Sequence, residues 1–291
     1  MAEAPAQPVS SRPRVVILTS GLDNLPARLL LRECGRRSFR PAAVVVDPII
    51  RRRRAPEPSL LARYGRMLRA RMGVYAARKL ARGLRRRFER PDNPRLPWLD
   101  ILAERQGVPL IQTTNVNRDE GLRRLRETAP EILVMMGCRI LRPEALAVAP
   151  LALNFHTGLL PDYRGADTLY WALARGDHER IGFTIHRAVE AVDAGEVYYE
   201  EAVAPLRGEL IEDLFRRCCE RAAPHWFDLF AAFARDGKLE GRALDLTRGT
   251  RYWGVDWWAV AHAEHAWMKG RQPAWVPENA PPAESAQGPT A

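Results

Sequence analysis

Three side chains near the middle of the chain could do chemistry together: Asn154, His156 and Asp193. Asn154 and His156 stand two residues apart in an apolar run, so an extended strand there points both to one side. An asparagine amide can donate to an oxyanion. A histidine exchanges protons near neutral pH, and an aspartate can orient and charge it. Such a trio suits the tetrahedral carbon of an acyl or formyl transfer. By residue type alone it is an unspecific pattern, because an Asn, a His and a distant Asp recur in most chains of this size. A histidine at a strand end is also more often structural than catalytic.

The elements that must position these residues follow from hydrophobic patterning. Val15–Ser20, Ala42–Val46, Val108–Gln112, Ile132–Met136 and Ala152–Phe155 are short apolar runs that read as buried strands. Pro26–Cys34, Leu99–Gln106 and Asp119–Thr128 read as the helices between them. This alternation predicts an α/β fold: a Rossmann-like open, mostly parallel sheet with helices on both faces. The first strand–helix turn, Ser20–Asn24, lacks the glycine fingerprint of dinucleotide binding, so no NAD or FAD is assigned. Open sheets bind ligands beyond the C-terminal ends of their strands, where Asn154 and His156 fall. After Gly182, Phe183–Val189 and Val197–Val203 read as strands flanking a loop with Asp193 and Gly195. Leu210–Arg235 reads as a long helix and Trp253–Met268 as an aromatic-rich one.

The residues around the trio make it specific. Asn154 and His156 are followed by Gly158, Leu159, Leu160, Pro161, Tyr163, Arg164 and Gly165, then by Gly182 and Thr184, then by Asp193 and Gly195. In this order the stretch Leu153–Tyr199 resembles the formyltransferases that use 10-formyltetrahydrofolate. That family includes glycinamide ribonucleotide, methionyl-tRNA and sugar N-formyltransferases. The resemblance implies a one-carbon transferase whose acceptor amine attacks the formyl carbon of the folate. It assigns Asn154 and His156 to the developing oxyanion and Asp193 to His156 and the moving proton. It implies that Met136, Gly137, Cys138, Arg139, Ile140 and Leu141, with Ala191, Val192 and Gly195, hold the pterin. Tyr163, Arg164 and Gly165 are the substrate-side residues, where binding an acceptor phosphate and bracing the turn are equal readings. One departure is Gly158, where methionyl-tRNA formyltransferases usually carry serine. Thr168, Trp171, Ile185 and His186 look more like the sugar and small-amine branch; His186 itself is read as structural.

The chain has 291 residues, 46% apolar, and a formal charge of +10. Between Arg51 and Pro97 there are 16 basic residues against 3 acids, a net of +13 that leaves −3 for the remainder. Leu60, Tyr64, Leu68, Met72, Ala76, Leu80, Leu84 and Phe88 recur every fourth position there, a slowly drifting helical stripe that Gly73 and Gly83 could interrupt. The readings for this insertion, in order, are helices packed on the domain, a surface for a phosphate-bearing acceptor, and attachment to an anionic membrane surface. Nucleic acid comes last. The expected organisation is a disordered leader at 1–13, a catalytic domain at 14–205 with the basic insertion at about 51–97, a helical C-terminal extension at 206–275 and a disordered tail at 276–291. Cys34, Cys138, Cys218 and Cys219 show neither zinc spacing nor a disulfide pattern, and His262 and His265, which flank Glu264, show no evident third ligand, so no metal is assigned. The four tryptophans Trp253, Trp257, Trp258 and Trp267 read as packing on the core or on a second subunit, which would make a homo-oligomer. The expected location is cytoplasmic, with peripheral contact at the inner membrane surface if the basic insertion docks there. The favoured acceptor is a small amine such as an amino sugar nucleotide. Methionyl-tRNA formylation, formyl-folate hydrolysis and a non-catalytic docking protein are the alternatives.

Overall fold

The structure is a computed structural model that describes residues 12–49, 59–253 and 257–269. Most of the leader, the tail and Arg51–Arg54 lie outside the described residues. The first half runs β1 (Val15–Thr19), α1 (Leu25–Arg36), β2 (Ala43–Val46), α2 (Leu60–Arg69), α3 (Gly73–Arg87), α4 (Leu99–Gln106), β3 (Leu110–Gln112), α5 (Asp119–Glu127) and β4 (Ile132–Met136). Then come α6 (Pro143–Leu146), β5 (Leu151–His156), β6 (Tyr163–Gly165), α7 (Thr168–Arg175), β7 (Gly182–Arg187), β8 (Val197–Ala202), α8 (Ile211–Asp236), β9 (Thr250–Tyr252) and α9 (Trp257–Met268). Seven strands form one sheet in the order β3-β2-β1-β4-β5-β7-β8. The first five are parallel, and β7 and β8 add antiparallel to β5. The expected α/β class and mostly parallel sheet are what the chain adopts.

The central strands are apolar throughout because both faces are covered. On β1, Val15 and Ile17 enter one core while Val16 and Leu18 enter the other, the two-residue period of a pleated strand. The first core lies under α1, α4, α7 and α8, and the second under α5 and α6. Each fully buried aliphatic side chain here contributes about 1.5–3 kcal/mol. α1 starts where Asn24 caps it, its side-chain oxygen accepting from the Ala27 N–H at 3.1 Å.

Two stretches gain detail from the structure. The basic insertion is two helices broken at 70–72, where Arg71 turns the chain at φ 57. Gly73 opens α3, and Gly83 lies within it without interrupting it. The stretch after 205 is also not purely helical. β9 pairs in parallel with β6, giving a second, two-stranded sheet. α8 packs along α1, where Phe230 stacks on Phe39 at 5.4 Å. α9 runs against α7. β9 thus joins β6, while α8 and α9 pack on the domain through α1 and α7.

Candidate active site

β5 ends at His156, on the carboxyl edge of the sheet. Antiparallel pairing sets Asn154 opposite His186 and His156 opposite Thr184. Residues directly opposed across two strands share a face, so Asn154, His156, His186 and Thr184 line one surface. The loop between β7 and β8 lowers Asp193 onto it. Asp193 sits at φ 51, a left-handed conformation that aspartate tolerates better than most residues and that stores strain at the site.

The contacts converge on the Asp193 carboxylate. Its Oδ2 lies 3.5 Å from His156 Nδ1 and accepts the Gly165 N–H at 2.7 Å. Its Oδ1 lies 3.4 Å from both the Asn154 amide nitrogen and His186 Nε2. The Asn154 amide nitrogen also lies 3.1 Å from His186 Nε2. His186 Nδ1 faces the Arg187 carbonyl at 2.8 Å. A carbonyl only accepts, so Nδ1 carries a proton, and Nε2 faces both the Asn154 amide and the Asp193 carboxylate. His156 Nε2 likewise donates to the Tyr163 carbonyl at 2.7 Å. In neutral His156, Nδ1 is therefore the free base, and it faces Asp193.

Electrostatics agree with that arrangement. His156 is 6% exposed. Burial lowers its pKa below the usual histidine range, with Asp193 opposing and His186 reinforcing the shift. Burial alone would raise the Asp193 pKa, but the two histidines and the Gly165 N–H outweigh it and hold the carboxyl well below its ordinary value. The resting pair is thus an ionised aspartate beside a neutral imidazole. A proton arriving at Nδ1 would leave both ring nitrogens donating, one to Tyr163 and one to Asp193.

The structure brings together Asn154, His156 and Asp193 and adds His186, whose reading as a structural residue leaves out its contacts with two of the three. Tyr163 has its ring buried on Tyr252 at 5.0 Å and its hydroxyl donating to Asp177 at 3.0 Å, contacts that brace the turn. Gly165 likewise serves Asp193 through its N–H. Arg164 is different. It stands in register with Arg251 across the small sheet. Burial and then Arg251 lower its pKa, and its Nε is buried without a partner. Among the described residues neither arginine has a carboxylate at salt-bridge distance; Arg251 lies over the Trp253 ring at 4.5 Å.

Met136 is buried at the end of β4, and residues 137–141 leave the same edge that Asp193 covers. Gly137 is left-handed, Ile140 is exposed and Leu141 is buried. The Arg139 guanidinium is held by Asp47, with Nη2 2.9 Å from Oδ1, and Asn117 donates to the Ile140 carbonyl at 2.9 Å. Burial pushes the Cys138 thiol up to about 12, so it is no nucleophile. Ala191 is exposed, Val192 half-buried and Gly195 buried against the Arg187 carbonyl. A Cβ at Gly158 would lie 3.1 Å from both His156 Nε2 and the Tyr163 carbonyl oxygen, so glycine lets the turn close on the histidine. Of the four tryptophans, Trp253 accepts the Trp171 indole N–H at its carbonyl at 2.6 Å, Trp258 lies under Arg66 and Trp267 donates to the Leu206 carbonyl; the Trp257 side chain lies outside the described residues.

Gly165 gives a direct test of this construction. Its φ is +99, and a Cβ there would lie 2.1 Å from the Tyr252 carbonyl oxygen. Gly165→Ala must therefore part β6 from β9 and withdraw the N–H from Asp193. The expected cost is about 1–3 kcal/mol, read as a lowered denaturation midpoint. An unchanged midpoint would show that the small sheet does not hold Asp193.

Residues 74–227, just over half of the chain, match the family model described as Formyl transferase, and the chain belongs to that family. A methionyl-tRNA formyltransferase from Desulfotalea psychrophila is 31% identical over 169 residues, which cover 55% of this chain and 52% of that protein. The chain thus spans about half the length of that curated relative. Among solved structures, glycinamide ribonucleotide transformylase 1 from Symbiobacterium toebii is similar with a TM-score of 0.54 at 22% identity, over 80% of this chain and 95% of that one. Phosphoribosylglycinamide formyltransferase from Coxiella burnetii is similar with a TM-score of 0.51 at 17% identity, over 82% and 100%. These likenesses show the shared fold. No helix among the described residues is long and apolar enough to cross a membrane.

Proposed function

We propose that this protein transfers a formyl group from 10-formyltetrahydrofolate to the amine of a small acceptor that carries phosphate, such as an amino sugar nucleotide. The observation behind this reading is the convergence of Asn154, His156 and Asp193 at the carboxyl edge of the sheet in a member of the formyl transferase family. The folate would supply an activated formyl carbon. The loops 136–141 and 191–195 border that edge and would hold its ring through their backbone. Asn154 donates to the oxygen of the reacting formyl group; its long 3.4 Å contact with Asp193 is the one that oxygen can replace. His156 takes the proton of the attacking amine at Nδ1. Asp193 steadies the resulting imidazolium, and the proton then passes to the departing nitrogen.

Arg164 and Arg251 support the phosphate. Two guanidiniums side by side, one with a buried unpartnered N–H, are short of an anion. Replacing both by glutamine is expected to raise KM for a phosphorylated acceptor about 10–100-fold, the worth of one or two charged hydrogen bonds, while folate binding is retained. Equal KM values would remove the phosphate from the proposal. A transfer-RNA acceptor is the second reading, favoured by the 31% identical relative.

The primary test is calorimetric titration of 5-formyltetrahydrofolate into the protein, with Asn154→Ala alongside, followed by incubation of 10-formyltetrahydrofolate with amino sugar nucleotides, glycinamide ribonucleotide and methionyl-tRNA. A formylated product identifies the acceptor. Folate consumption without an amine product makes the protein a hydrolase, and no folate binding to the wild type overturns the reading.

A further inference from the structure

We infer that α3 docks the protein on an anionic lipid surface, lying flat with its outer face in the headgroup region. α3 has two apolar faces. Met72, at its N-terminal cap, and Tyr75 and Ala76 are buried against Leu210 and Ala261. Residues four apart advance about 40° around a helix, so the stripe Met72, Ala76, Leu80, Leu84, Phe88 winds from the inside of α3 to its outside. Leu80 and Leu84 are each 47% exposed, Val74 73% and Phe88 74%. Ala77 and Ala81 fall between them and are exposed as well. The result is one continuous apolar strip along the length of the helix, about 20 Å from Val74 to Phe88.

The charges divide in the same way. Lys79 on the inner side is bound by Glu212 at 2.6 Å and Glu264 at 2.9 Å. Arg82 pairs with Asp213, and Arg86 with Asp23 at 3.3 Å. Arg78 and Arg85 border the apolar strip, are exposed, and have no carboxylate at salt-bridge distance among the described residues. Residues 59–88 contain no acid at all. An apolar strip rimmed by unpaired arginines on a surface helix matches an anionic bilayer, which offers acyl chains to the strip and phosphate to the rim. A second copy of this chain fits poorly: pairing the same face across a two-fold axis would set Arg78 and Arg85 against their own copies. The inner contacts of α3 use Tyr75 and Lys79 and leave the outer face free of any fold role, so the surface is separable from the catalytic residues.

The test is co-sedimentation of the full chain with vesicles of phosphatidylglycerol and phosphatidylcholine, compared with phosphatidylcholine alone. Binding to the anionic vesicles that weakens as salt rises is expected. Arg78→Gln with Arg85→Gln should lower the partition constant roughly 30-fold, at about fivefold for each cation. Leu84→Asp with Phe88→Asp should reduce it at least tenfold by withdrawing two apolar groups from the interface. Both pairs of sites are exposed, and an unchanged melting curve confirms that the variants fold. Failure of the wild type to bind, or binding that ignores all four substitutions, overturns the inference. So does a lipid-free dimer that Phe88→Asp dissolves, because the face would then belong to a second copy.

Discussion

Asp193→Asn is expected to lower kcat/KM for formyl transfer by about 10²–10⁴, the usual worth of a positioned acid–base group. Asparagine suits this test because it tolerates the left-handed φ of 51 and keeps one oxygen for the Gly165 N–H. What it removes is the charge. The imidazolium of His156 then has no anion beside it in a buried site, and the proton must be taken up without help. The pH profile separates this effect from a loss of packing. The folded-state His156 pKa lies below the ordinary value of about 6.5. Activity that needs the neutral base is therefore level above that value and falls as pH drops through the folded pKa. Asp193 acts to raise that pKa, so the substitution should move the acid limb to lower pH while reducing the plateau. A plateau within threefold of wild type would remove Asp193 from the mechanism. A reduced plateau with an unmoved acid limb would assign it to positioning alone.

The same depressed pKa makes a statement about stability. A base whose pKa is lowered by folding contributes stability that is complete above about pH 6.5 and is lost as pH falls through the folded value. His156→Gln should therefore flatten part of the acid-side loss seen in denaturant titrations.

The second large effect is expected far from the chemistry. Glu264 is fully buried on α9 and accepts three hydrogen bonds: from the Ile211 N–H at 2.7 Å, the Tyr75 hydroxyl at 2.7 Å and Lys79 at 2.9 Å. One carboxylate thus joins α9, the start of α8 and α3. Glu264→Ala strands a backbone donor and a phenol in an apolar setting and leaves Lys79 with Glu212 alone. Removing one partner of a buried ion pair costs about 3–5 kcal/mol, and the loss falls on the packing of α3, α8 and α9. Glu264→Gln keeps an acceptor for Ile211 and should lose distinctly less. Equal midpoints for Glu264→Ala and wild type in urea titrations would show that the cluster does not hold these helices. A double-mutant cycle with Tyr75→Phe measures how much of the loss belongs to that single bond.

The sequence by itself determined the central sheet, because strands such as Ile132–Met136 are covered on both faces and must be apolar at every position. It also determined that Asn154 and His156 share a face, since they lie two apart on one strand. The order of short motifs from Asn154 to Gly195 pointed to the family. Tertiary structure alone decided what those residues meet. His186 enters the site only through the antiparallel register of β7 on β5, and nothing local in a chain announces which residue of a later strand will lie opposite an earlier one. β6 and β9 are three residues each and pair across more than eighty positions, too short to leave a periodic signal. Arg164 and Arg251 become neighbours only there. Glu264 sits between two histidines in sequence, and nothing there showed its role; its partners come from α3 and α8 because a buried carboxylate takes the donors that packing brings to it. The basic stretch showed its composition plainly. Which of its apolar residues faced the core and which faced outward was decided by the break at 70–72 and by the slow winding of the stripe around α3.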